Sequence, residues 1–135
     1  MTRFRMIKIS VPQFAILADS APTENIRCEV EFGFRVAPDS HLLGVDLKIA
    51  FTHSSDKFLV LETICEFSIY PDDWNKCQSE KGIELSRDLL LQVASQTVGT
   101  ARGIMFSRTE GTSFGSFILP PVNLTPLIKE GITIE

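Results

Sequence analysis

Apolar and polar residues alternate along three stretches of this chain. In 26–36 the even positions Ile26, Cys28, Val30, Phe32, Phe34 and Val36 are apolar, while Arg27, Glu29, Glu31 and Arg35 are charged. A period of two places one face against a core and the other in water. Segment 43–53 repeats this, with Val45, Leu47, Ile49 and Phe51 pointing inward and Asp46, Lys48 and Thr52 outward. Segment 58–70 puts Leu59, Leu61, Cys65, Phe67 and Ile69 on one face and a mixed set, Val60, Glu62, Ile64, Glu66 and Tyr70, on the other. Pro38-Asp39-Ser40 and Ser54-Ser55-Asp56 have turn chemistry. Consecutive strands joined by short turns predict an antiparallel meander. A further strand is expected at 3–11. Residues 10–25 then form a link whose first half, with Val11, Phe14, Ile16 and Leu17, is apolar. Loops lie on the surface, so an apolar one must cover something or be covered. A second connection, 71–84, carries Trp74 beside Asp72 and Asp73.

The period changes at Ser86. From there to about Ser107 the spacing is helical, with Ser86 as N-cap and Asp88 as first-turn acid. At about 1.5 Å per residue this helix is roughly 33 Å long. At about 100° per residue, Leu89, Leu90, Leu91, Val93, Ala94, Thr97, Val98, Ala101, Ile104 and Met105 span an arc of roughly 200°. One sheet covers a stripe of little more than about 100°. The excess predicts a second partner, and association between chains is the simplest one. Ser95, Gly99 and Gly103 recur every fourth residue on the remaining arc. Each helical glycine costs about 0.8–1.0 kcal/mol relative to alanine, so the stripe reads either as a close approach or as a tolerant solvated face. The expected oligomer interface is Leu90, Ala94, Val98, Gly99, Ala101, Gly103 and Met105.

Gly111 ends the helical region. Pro120-Pro121 forbids a central strand. Thr125-Pro126, followed by Leu127 and Ile128, predicts a short capped helix. The fold class is therefore α+β: one domain over 1–135, with an antiparallel four-stranded sheet, one long helix on a face and a short C-terminal helix.

Charge and composition narrow the function. A net charge of −4 with scattered basic residues argues against nucleic acid as the main partner. No apolar run is long enough to span a membrane, and Lys8, Pro12 and Gln13 interrupt the pattern of a signal peptide. Cys28, Cys65 and Cys77 are an odd number with no Cys-x-x-Cys spacing, which fits core packing in a reducing cytoplasm. His41 and His53 show no metal or nucleophile spacing. Phosphate-loop and Gly-x-Ser-x-Gly patterns are absent. Asp72-Asp73 reads as a turn pair rather than a catalytic dyad. The expectation is a protein that is not an enzyme and needs no cofactor, so function must reside in surfaces.

The segment 111–128 carries the most specific signal. Gly111-Thr112-Ser113-Phe114 resembles, with one inserted residue, the Gly-Thr-Phe turn of the SecB family of protein-export chaperones. Leu119-Pro120-Pro121-Val122-Asn123-Leu124 is similar to that family's Leu-Ala-Pro-Val-Asn-Phe element at four of six positions, and Phe67-Ser68-Ile69 resembles the end of a family strand. The element order agrees as well. The resemblance implies a cytoplasmic homo-oligomer, a dimer or a dimer of dimers (a tetramer), that holds unfolded or precursor polypeptides without ATP. It implies client-binding residues Val11, Phe14, Ile16, Leu17, Phe114 and Phe117, the alternative being that these form covered core. It also implies docking to the SecA motor. Aligned on Phe67-Ser68-Ile69, the family's docking glutamate falls at Val60, and Glu62, on the same strand face, is the candidate substitute. Two rivals stand beside this reading. One is an oligomeric adaptor for a single folded partner. The other is a hotdog-type acyl-thioester enzyme using the helix N-terminus near Ser86 and Asp88.

Overall fold

The computed structural model describes residues 1–135. Strands β1 (Phe4–Ile16), β2 (Ile26–Ala37), β3 (Leu42–His53) and β4 (Asp56–Ile69) form one antiparallel sheet in the order β1-β4-β3-β2. The alternating stretches thus become the strands expected of them. The inward residues Leu43, Val45, Leu47 and Leu59, Leu61, Cys65 and Phe67 are buried. Short helix α1 (Pro71–Lys76) follows, then the hairpin β5 (Gln78–Ser79) and β6 (Gly82–Leu85). Helix α2 (Arg87–Thr109) crosses one face of the large sheet, and β7 (Ile132–Ile134) closes a small second sheet in the order β5-β6-β7. The cap acts as its chemistry dictates: the Leu89 amide donates to Ser86 Oγ at 3.2 Å.

Three differences from expectation have physical causes. First, β1 does not stop at residue 11. It runs to Ile16, so Val11, Phe14 and Ile16 lie on a strand and the link shrinks to 17–25. Pro12 is accommodated because the register slips between Ser10 and Gln13, a bulge where no ladder amide is needed. Second, the C-terminal helix does not form. Residues 125–127 make one turn, with the Leu127 and Ile128 amides donating to the Leu124 carbonyl at 3.1 and 2.9 Å. The chain must then extend for β7 to pair with β6. Gly131 permits the passage, since a side chain there would collide with the Leu85 carbonyl.

Third, the wide apolar arc of α2 is covered by its own chain. Leu89, Leu90, Val93 and Ala94 pack with Leu43, Val45, Cys65, Phe67, Trp74, Leu85 and Ile128. Val98, Ala101 and Met105 pack with Leu47, Ile49, Leu61, Phe114 and Leu119. The proline-containing segment after α2 is the second partner. It is strapped down by Arg102, whose Nε donates to the Leu119 carbonyl at 2.8 Å, and by Arg87, whose Nε donates to the Ile128 carbonyl at 2.8 Å. The expected interface residues Leu90, Ala94, Val98, Ala101 and Met105 are therefore interior and offer nothing to a second chain. Gly99 and Gly103 remain exposed, with open space where a Cβ would project. No helix is long and apolar enough to cross a membrane.

Candidate polypeptide-binding surface

Helix α2 and the C-terminal segment cover the middle of the sheet but leave the β1 margin open. The strand order makes β1 an edge with one unpaired row of backbone amides and carbonyls. Its apolar residues stay partly in water: Ile9 is 50% exposed and Ile7 47%. Leu17, just past the strand, is 59% exposed, although its amide is fixed to the Phe58 carbonyl at 2.8 Å. Register places Phe14 opposite Leu61 and Ile16 opposite Leu59, so both point to the helix side.

The six candidate client residues gather at the end of the sheet where β1 and β4 meet the helix exit. Phe114 is buried and Phe117 half-buried in an aromatic group with Phe51 and Phe58; the Phe58–Phe117 centroids are 5.1 Å apart and those of Phe58–Phe114 6.1 Å. Val11 and Phe14 flank the same cluster, half-buried. Ile16 is exposed and lies beside the cluster's Leu59 in register. Leu17, also exposed, follows it directly. Phe114 is a correction, because a side chain this buried supports the site from behind and cannot contact a client directly. The Arg108 guanidinium lies over the Phe14 ring at 5.4 Å, a cation–π contact that orients it. The spacing of residues 3–11 announces a strand but not an edge, so the exposure of Ile7 and Ile9 has no signal in the sequence.

Glu62 faces the other way. It lies on the sheet surface opposite the helix, in a cleft of about 300 Å³ with Gln13, Glu29, Glu31, Lys48 and Lys57. The nearby Asp46 side chain is the main cause that raises its carboxyl above the usual glutamate value, and burial adds to it. The sheet thus separates the candidate motor-docking residue from the aromatic cluster.

The remaining chemistry is committed to structure. Ser86 Oγ serves as the cap of α2. Asp73 accepts from the Arg3 amide at 2.7 Å and from Arg3 Nε at 2.9 Å, which ties β1 to α1. His41 stacks on Trp74 with centroids 5.1 Å apart, and His53 Nδ1 donates to the Glu24 carbonyl at 2.6 Å. Burial pushes the Cys28 thiol up to about 11 and raises those of Cys65 and Cys77, so none is a thiolate nucleophile at neutral pH. No group of three or more His, Cys, Asp or Glu side chains converges as metal ligands would.

No protein-family model matches the chain, and no curated protein matches it. Among solved structures the chain is similar to the SecB-like chaperone Rv1957 of Mycobacterium tuberculosis, in complex with a ChAD peptide from the Rv1956 HigA1 antitoxin. The TM-score is 0.54 at 12% identity, over 90% of this chain and 91% of that one. A protein of unknown function from Streptococcus agalactiae aligns over 100% of this chain and 98% of its own, but a TM-score of 0.39 at 14% identity is too loose to argue from. Such identities concern architecture alone. With its antiparallel four-stranded sheet and one long helix, the chain has a SecB-like fold.

Proposed function

We propose that this protein is a SecB-like chaperone that binds unfolded or precursor polypeptides in the cytoplasm, without ATP, and keeps them competent for export or folding. One observation carries the reading. A 13-residue edge strand with exposed apolar side chains ends beside a half-open aromatic cluster. An edge supplies backbone hydrogen bonds to any extended chain, and the apolar margin supplies sequence-tolerant burial at about 25 cal/mol per Å². The lost freedom of binding costs several kcal/mol, so several weak subsites across an oligomer are needed, and multivalency then raises avidity. Capture works by mass action on the unfolded state and requires no bond chemistry. The peptide held by Rv1957 supports a polypeptide as the ligand class.

The contact residues are Val11, Phe14, Ile16, Leu17 and Phe117, with Phe114 behind them. The assembly is a dimer or a dimer of dimers. With the apolar arc of α2 covered, its contacts fall to the Gly99–Gly103 stripe and the β1 margin. Glu62 is the point at which the SecA motor would dock. The adaptor reading differs in breadth, because an adaptor binds one folded partner. Purified protein at stoichiometric amounts is expected to retard aggregation of several unrelated denatured proteins. Protection of none of them would hand the case to the adaptor. Turnover of an acyl thioester would instead revive the enzyme.

A further inference from the structure

The sheet face opposite α2 carries a carboxyl group that lacks a donor. Asp46 is 8% exposed. Its Oδ2 accepts from Arg35 Nη2 at 3.3 Å, whereas Oδ1 is buried without any hydrogen-bond partner. A buried carboxylate oxygen left unpaired is costly, so a donor must reach it. The register identifies the neighbours. Gly33 on β2 and Ile64 on β4 stand directly across from Asp46 and donate nothing from their side chains. Its diagonal neighbours are Glu31 and Arg35 on β2 and Glu62 and Glu66 on β4. Such diagonals lie within reach of long side chains. Arg35 already serves Oδ2. Glu66 is paired with Lys8 of β1, Nζ to Oε2 at 3.8 Å. Lys48 on β3 stands opposite Glu62 but lies in no ion pair, and Glu29 and Lys57 line the cleft further along. Glu31 and Glu62 are the two acids beside Asp46 that hold no ion pair, each standing opposite Lys48, and Glu62 is the one whose carboxyl Asp46 raises.

We propose that Asp46 and Glu62 share one proton, with the protonated Glu62 carboxyl donating to Asp46 Oδ1. The pair makes this face of the sheet pH-sensitive. It carries one negative charge while the proton is held and two when it is lost. The raised affinity of Glu62 for its proton, caused first by Asp46, agrees with this geometry. A raised folded-state value means that the stabilisation is fully present below the ordinary glutamate range. It is lost as pH rises through the raised midpoint. Macroscopic titration belongs to the pair.

Carboxyl-carbon NMR of the full chain across pH tests this directly. Glu62 is expected to titrate above the ordinary glutamate value. Asp46→Asn is expected to bring its midpoint back toward that ordinary value, and Arg35→Gln to move it further up, because a cation that favours ionisation is removed. Glu62→Gln is expected to flatten the pH dependence of stability that the pair causes. A Glu62 midpoint at the ordinary glutamate value in the wild-type protein overturns the proposal, even if Asp46→Asn fails to fold. A midpoint that Asp46→Asn leaves in place, in a folded variant, overturns it equally.

Discussion

At the scale of single residues, two buried polar groups make contrasting predictions. Thr63 is fully buried on the helix side of β4, and its Oγ1 has no hydrogen-bond partner. Valine keeps the β-branched shape and removes the orphan hydroxyl. Thr63→Val is therefore expected to raise stability by about 1 kcal/mol, read as a higher urea midpoint at unchanged slope. Asp73 is the opposite case, since both its contacts with Arg3 are made. The side-chain hydrogen bond from Arg3, followed by the bond from the Arg3 amide, holds its carboxyl below the usual aspartate value. A lowered folded-state value contributes stability above the ordinary aspartate range, and that contribution is lost as pH falls through the lowered value. Asp73→Asn should destabilise the protein at neutral pH, with the gap closing in acid. Urea midpoints measured over a pH series check this, and hydrogen exchange should show the loss concentrated at the start of β1.

At the scale of elements, α2 separates what propensity wants from what packing wants. Gly99 and Gly103 have nothing within 4 Å of a would-be Cβ, so no contact within the chain requires a glycine there. Gly99→Ala and Gly103→Ala should each stabilise the isolated protomer by up to about 1 kcal/mol through helix propensity. Leucine at either site is expected to leave the fold intact by circular dichroism. If the stripe is the contact between copies, the same leucine lowers the assembled mass in light scattering. A wild-type protein that is monodisperse as a monomer at micromolar concentration removes the case for assembly. Strand β1 is the second element under tension, long and apolar yet placed at an edge. Its bulges at Ile7 and near Pro12 break the regular ladder that would invite indiscriminate pairing.

At the scale of the whole molecule, binding depends on surfaces that the fold leaves uncovered. Phe14→Ser together with Leu17→Ser removes two apolar contacts at the margin of the aromatic cluster while sparing its buried centre, Phe58 and Phe114. The double variant should remain folded and lose most of its capacity to hold denatured proteins. Added salt should have the smaller effect, because the contacts are apolar. Retained capacity in the folded variant would move the site elsewhere, with the edge near Ile7 and Ile9 next in line.

The strands, their antiparallel order along the chain, the N-cap at Ser86 and the long helix were legible in the sequence. Each rests on local rules: a period of two, a period near 3.6, turn residues and a capping hydroxyl. The excess apolar arc of α2 points to a second partner, expected to be another copy of the chain, and that expectation fails because the chain covers the arc itself. Sequence could not say which cover, because periodicity records that a face is buried and not what buries it. The tertiary structure assigned that role to the chain's own segment 111–128, held by Arg87 and Arg102, and so withdrew Leu90, Ala94, Val98, Ala101 and Met105 from any interface. The place of β1 in the sheet lay beyond local pattern for the same reason. Only long-range pairing set β1 beside β4 at an edge, kept Ile9 and Leu17 in water, buried Phe114, and brought Glu62 diagonally beside Asp46 on the far face.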